Sequence, residues 1–248
     1  MTGTVHLVGA GPGAPDLLTL RAARLLGEAD IVFHDALVHP DTLALAARAE
    51  KIAVGKRCGK HSTAQRFINK RLIDAARQHR VVVRLKGGDP MLFGRAQEEI
   101  DALVAAGIPV SVVPGVTSAL AASADLRQSL TQRGVSRSVA FVTPRVGADA
   151  PDSTWAQAAA AADTAVIYMG AKEAAAVSAA LIARGKPATL PVAIVENASL
   201  PGQRTLPTTL GALPQAIAAL GDGPALLLIG EVYADIAVAR RLPQRRVA

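Results

Sequence analysis

Short β-branched runs alternate with alanine- and leucine-rich stretches of helical period along most of the chain. That alternation restricts the fold more than any other feature, because strands joined through helices must lie parallel in a sheet covered on both faces. In the first half, TVHLVGAG (4–11), DIVFHD (30–35), RVVVRLKGGD (80–89) and IPVSVVPGV (108–116) read as strands running into turns. Between them, DLLTLRAARLLGEA, QRFINKRLIDAARQH and AQEEIDALVAAG read as amphipathic helices. After the polar stretch DLRQSLTQRGVSRS the strand pattern restarts with VAFVTP, TAVIYMG, PVAIVENAS and ALLLIGEV, and AQAAAAAD is a further helix. The expected architecture is therefore α/β with two α/β domains, residues 1–115 and 116–243, and a basic tail at 244–248. PRVGADAPDSTW is expected to be an exposed loop.

Composition excludes little but directs the search. The single cysteine, Cys58, cannot form an intramolecular disulfide and falls far short of a structural zinc site, so a cytoplasmic setting and no metal are expected. The apolar run at the N-terminus breaks into glycine and proline within a few residues, giving neither a signal-peptide nor a membrane-span pattern. A net charge of +7 allows an anionic partner, nucleic acid or a polycarboxylate, and aromatics at 3% leave few rings for base stacking.

Three strand-end turns carry the candidate chemistry. GAGPGA (Gly9–Ala14) satisfies the dinucleotide pattern G-x-G-x-x-A, yet Pro12 and Pro15 delay the helix to about residues 16–19, so the loop is longer and stiffer than a pyrophosphate cradle needs and is either a ligand-facing loop or a plain turn. In RLKGGDPMLFGR, Gly87 and Gly88 let a ligand approach the backbone, Asp89 can accept hydrogen bonds, and Pro90 restrains the turn. A tight connection in which Asp89 only caps the next turn is the alternative. Thr117 and Ser118 in PGVTSA either cap a helix or bind a ligand.

Taken in order, VGAGPGAPDLLTLRAARLL, DALV, VGKRCGKH, VVRLKGGDPMLFGR and VVPGVTSALAA resemble the uroporphyrinogen-III C-methyltransferases of the tetrapyrrole methylase superfamily. VIYMG, PVAIVENAS, the pair Gln203–Arg204 and PALLLIGEV continue the match, which runs from about residue 4 to 235. The resemblance implies a homodimer binding S-adenosyl-L-methionine between two domains, with contacts from Pro12, Gly87, Gly88, Asp89, Leu92, Thr117, Ser118, Met169 and Ala198. It implies Asp35 as proton acceptor, Lys56 as proton donor and uroporphyrinogen III as substrate, without nucleic acid or membrane as partner. The residues alone would make Asp35 a strand-end cap and Lys56 a surface charge. Arg57, Arg95 and Arg133 are candidates for pairing with the substrate's carboxylates, an ordinary surface charge being the alternative for each.

The chain departs from the family pattern at four places. Ala36 replaces arginine, RQSLTQR (127–133, with Gln132) replaces GIPLTHR, VTPR (142–145, with Arg145) replaces VTGH, and Ala198 replaces glycine. Competing readings are a methyltransferase for a later corrin intermediate, a ribosomal RNA methyltransferase on the same scaffold, and a paralogue that binds without turnover.

Overall fold

The structure is a computed structural model that describes residues 2–54, 61–144 and 154–236, the side chains of 61–64 excepted. The chain divides into two compact units, Met1–Ser118 and Ala119–Ala248. Most of the loop expected over 144–155 lies outside the described residues.

In the first unit, β1 (Thr4–Gly9), β2 (Ile31–His34), β3 (Glu50–Ala53), β4 (Val81–Lys86) and β5 (Val110–Val113) form one sheet in the order β3-β2-β4-β1-β5. All its pairings are parallel. The helices are α1 (Leu20–Glu28), the short α2 (Pro40–Ala44), α3 (His61–Ala76) and α4 (Ala96–Ala105). Thr19 caps α1, its hydroxyl accepting from the Ala22 N–H at 3.1 Å, so the helix starts just after the expected 16–19.

Alternation along the strands sends Val5, Leu7, Ile31, Phe33 and Val82 to the face covered by α3 and α4. Val8, Val32, Val83 and Leu85 pack on the other face with Leu25 and Leu26 of α1. Neighbouring strands β1 and β4 thus send their chains to opposite faces, through α1 and α4. A crevice opens at the carboxyl ends of such a pair, and open α/β sheets bind ligands there.

Three loops close on that crevice through glycine backbone. Gly11 and Gly88 form an antiparallel bridge, each N–H donating to the other's carbonyl at 3.2 and 2.7 Å. An added Cβ at Gly9 would lie 2.6 Å from the Cα of Gly115, and one at Gly115 would lie 2.2 Å from the Gly88 carbonyl. No side chain fits at either position.

The second unit does not repeat the parallel sheet that the βα alternation suggests. Its strands are β6 (Val139–Val142), β7 (Thr164–Ile167), β8 (Pro191–Glu196), β9 (Arg204–Thr209) and β10 (Ala225–Ile229), in the order β6-β7-β10-β8-β9. Among the described residues β6 and β7 pair in parallel and the other three pairings are antiparallel. The helices are α5 (Ser118–Leu126), α6 (Trp155–Ala161), α7 (Ala174–Ile182) and α8 (Leu213–Ala216). α6, α7 and α8 cover one face, and Ala119 and Ala122 of α5 pack on the other beside Val166, Val195 and Tyr233.

Each sheet is pinned at a strand entrance by an aspartate. Asp30, before β2, accepts from the N–H groups of Arg80 and Val81 where β4 begins, at 3.0 and 2.9 Å. Asp163, before β7, accepts from the N–H groups of Arg137 and Ser138, at 2.8 and 3.0 Å, and from the Ser138 hydroxyl at 2.9 Å.

Two outcomes follow for stability. The Arg137 N–H, then the Ser138 hydroxyl and N–H, hold the Asp163 pKa below the usual carboxylate value. Its stabilisation is therefore complete above the unfolded value of about 3.9 and is lost as pH falls through the lower folded value. The difference in urea midpoint between wild type and Asp163→Asn should shrink as pH is taken down through that range. Gly115→Ala, which drives a methyl group into backbone, should cost about 3 kcal/mol in urea unfolding. Gly27→Ala, whose Cβ meets nothing within 4 Å in α1, should be neutral or stabilising.

Candidate functional site

In the first unit the structure brings together Pro12, Gly87, Gly88, Asp89 and Thr117. Pro12 follows Gly11 in the bridged loop, and the Cβ that Gly88 lacks would face the Thr117 Cα at 3.9 Å. Gly88 has φ +66°, which favours glycine. Asp89 directs both carboxylate oxygens to backbone: Oδ1 accepts from the Met91 N–H at 2.8 Å and Oδ2 from the Gly115 N–H at 3.0 Å. The aspartate thus ties the β4 turn to the β5 turn. The Leu92 N–H donates to the Asp89 carbonyl at 3.2 Å, and Phe93 and Arg95 both hold φ +54° in the same segment. Non-glycine residues in the left-handed region are uncommon and gather where a site needs a particular backbone path. Thr117 is buried, and Ser118 opens α5.

Asp35 follows β2, a half-exposed carboxylate anchored from behind. Its Oδ1 accepts from Arg84 Nη2 at 2.5 Å. Arg84 Nε donates to Glu99 Oε1 at 3.0 Å, and Lys86 Nζ donates to Glu99 Oε2 at 2.9 Å. Burial opposes the Arg84 charge, but Asp35 and Glu99 outweigh it and raise the guanidinium pKa. Burial, then the neighbouring Arg84, lowers the Lys86 pKa despite Glu99. Sequence reasoning did not single out Arg84, Lys86 or Glu99. Two cations at alternate positions of the otherwise apolar VVVRLK were the available signal.

Lys56 and Arg57 lie outside the described residues, as does Arg145. Arg95 is paired at the surface with Glu98, through two contacts of 2.7 Å. Arg133 and Gln132 belong to an exposed turn closed by the Gln132–Ser136 bridge. Arg127, Gln128 and Leu130 of the altered segment line a groove of about 560 Å³ with Leu120 and Phe141.

In the second unit, Met169 follows β7 and Ala198 follows β8. Met169 holds φ 55° and its side chain is exposed, whereas Ala198 is buried. Asn197 and Ser199 flank Ala198 at φ 54° and 69°, and Ala198 itself is not left-handed, so its backbone accommodates alanine. The Ser199 N–H donates to Gln203 Oε1 at 2.7 Å and to Asp125 Oδ2 at 3.2 Å. The Tyr168 hydroxyl accepts from the Ala119 N–H at 3.2 Å, tying the β7 loop to α5.

Among known proteins, 231 residues are 48% identical to a siroheme synthase of Zymomonas mobilis, over 93% of this chain and 49% of that protein. A siroheme synthase of Chromobacterium violaceum is 47% identical over the same shares. The chain thus spans about half the length of the curated relatives it matches. Among solved structures, uroporphyrin-III C-methyltransferase of Thermus thermophilus in complex with S-adenosylhomocysteine is 40% identical with a TM-score of 0.80, covering 93% of this chain and 98% of that one. A cobalt precorrin-4 methyltransferase is 28% identical with a TM-score of 0.82, covering 93% and 95%. Residues 4–214 match the tetrapyrrole (corrin/porphyrin) methylases as a family. With the glycine-built crevice, the mixed second sheet and these relatives together, the chain belongs to the tetrapyrrole methylases.

Proposed function

We propose that the chain transfers two methyl groups from S-adenosylmethionine to carbon atoms of uroporphyrinogen III, giving precorrin-2 on the way to sirohaem or cobalamin. The observation that carries this reading is Gly87. An added Cβ there would meet, among the described residues, only the Leu37 Cβ at 3.8 Å, and Gly87 is not left-handed. Neither packing nor backbone geometry calls for glycine, unlike Gly9 and Gly115. A ligand lying against the backbone does.

Pro12, Gly87, Gly88, Asp89, Leu92, Thr117, Ser118, Met169 and Ala198 are assigned to the cofactor on the resemblance. When bound, S-adenosylmethionine supplies an electrophilic methyl group on a sulfonium sulfur. The protein's main task is then to align that group with an electron-rich pyrrole carbon and exclude water. A methylated macrocycle carries one additional positive charge. Asp35 takes a proton from it, the C–H bonding pair returns to the ring system, and the carboxylate becomes a neutral acid. Lys56 is assigned as proton donor on the resemblance alone. The homodimer rests on the resemblance too, while the cytoplasmic setting is supported by the lone cysteine. No helix among the described residues is long and apolar enough to cross a membrane.

Anaerobic incubation with uroporphyrinogen III and labelled S-adenosylmethionine should add two methyl groups to the tetrapyrrole by mass spectrometry. Bound cofactor without transfer would overturn the substrate assignment in favour of a later corrin intermediate or a binding protein. Gly87→Ala should weaken S-adenosylhomocysteine binding in isothermal titration by at least about tenfold, roughly 1.4 kcal/mol, with an unchanged melting temperature. Unaltered affinity would remove the argument from Gly87.

A further inference from the structure

The central strand β4 should be apolar on both faces, because β2 and β1 flank it and helices cover the sheet. On the face toward α3 and α4, Val82 obeys that rule, and Arg84 and Lys86 break it. Their side chains are 3% exposed, and that of Glu99 on α4 is fully buried. Burying ions carries a large desolvation cost, and apolar residues of similar volume are often as stable or more so. The parallel pairing of β2 with β4 already joins Ile31–His34 to Val82–Leu85, so the sheet needs no ionic tie there.

The arrangement of the charges suggests what they do. Arg84 is held by three acceptors: Glu99 through Nε, its neighbour Leu85 through the backbone carbonyl at 3.2 Å, and Asp35 through Nη2. Glu99 is fixed in turn by Lys86 and by Gln65 Nε2 at 3.2 Å. Two cations and two carboxylates balance within the group. Asp35, at 32% side-chain exposure, is the member open to solvent, and β4 continues directly into Gly87 and Gly88. A rigid planar fork locked from behind sets one oxygen of a carboxylate and leaves the other available.

We propose that Arg84, locked by Glu99 and Lys86, is a positioning residue that fixes the Asp35 carboxylate for proton transfer. This rests on the reading of Asp35 as proton acceptor. Arg84 touches neither substrate nor cofactor in this assignment; it acts through Asp35, and Glu99 acts through Arg84. Misplacing a reacting group by about 1 Å can cost on the order of a hundredfold in rate, enough to justify buried charge in the strand.

A double-mutant cycle tests it, with Arg84→Met, Asp35→Asn and the double variant of the full chain assayed for formation of the deprotonated methylated product, in single-turnover and steady-state kinetics. Arg84→Met leaves Lys86 and Glu99 as a balanced buried pair, and melting curves accompany each variant. The expected result is a loss of about 10- to 100-fold for Arg84→Met, with S-adenosylhomocysteine affinity and tetrapyrrole KM within about threefold of wild type. In the Asp35→Asn background the same substitution should cause no further loss. Losses that multiply in the double variant would overturn the proposal while leaving Asp35 as proton acceptor. Full activity of Asp35→Asn would overturn that reading and this proposal with it. If Arg84→Met does not fold, Arg84→Lys keeps the charge, cannot span Asp35 and Glu99 together, and carries the same cycle.

Discussion

The contact on which the first unit's candidate site depends is backbone against backbone. Gly9, at the end of β1, and Gly88 and Gly115, from the loops after β4 and β5, approach so closely that a methyl group on Gly9 or Gly115 would overlap a neighbouring main chain. Hydrogen bonds then consolidate the contact: the Gly11–Gly88 bridge joins two loops, and Asp89 draws in the third through the Gly115 N–H. Loops are ordinarily the mobile part of an α/β fold. Here they form one surface, fixed to the ends of three adjacent strands. A ligand resting on it meets backbone groups whose positions are set before binding, which lowers the ordering cost of association.

Behind that surface the physical logic changes from packing to charge. Arg84, Lys86 and Glu99 occupy sites where valine or leucine would satisfy the fold, and their mutual pairing offsets the cost of removing them from water. The group is neutral as a whole once Asp35 is included, and its exposed end is the carboxylate at the end of β2. A buried network of this kind has few alternative arrangements, because displacing any member strands a charge.

The second unit reaches its geometry by another route. Its strand-end loops use left-handed non-glycine residues, Met169, Asn197 and Ser199; Gln203 and Asp125 accept from the Ser199 N–H, and Tyr168 ties the loop of Met169 to α5. Gln203 thereby acquires a structural reason for its place beside Arg204, which itself contacts the buried Glu196 at 3.4 Å. Ala198 lies between two strained residues but is not strained itself, which explains why a methyl group is compatible with the backbone there.

How far the sequence could be read follows from the range of the forces involved. Hydrophobic period is local, so the buried strands, the helices α1, α3 and α4, and the restart after residue 138 were legible. The two missed strands, β3 and β9, are both sheet edges: EKIA is mostly exposed, and RTLPTT carries Pro207, which an edge tolerates and a central strand does not. Strand direction was not legible either, because an antiparallel β10 has the same apolar pattern as a parallel one. The glycine turns marked where a ligand could lie. The sequence by itself determined two α/β units with special residues at the carboxyl ends of buried strands. Tertiary structure decided which glycines serve packing and which leave room, and gathered Arg84, Lys86 and Glu99 behind Asp35. Those partners lie 13 to 49 positions apart along the chain. Charge pairing at that separation leaves no periodic trace, since it depends on register and sheet order rather than on neighbours in sequence.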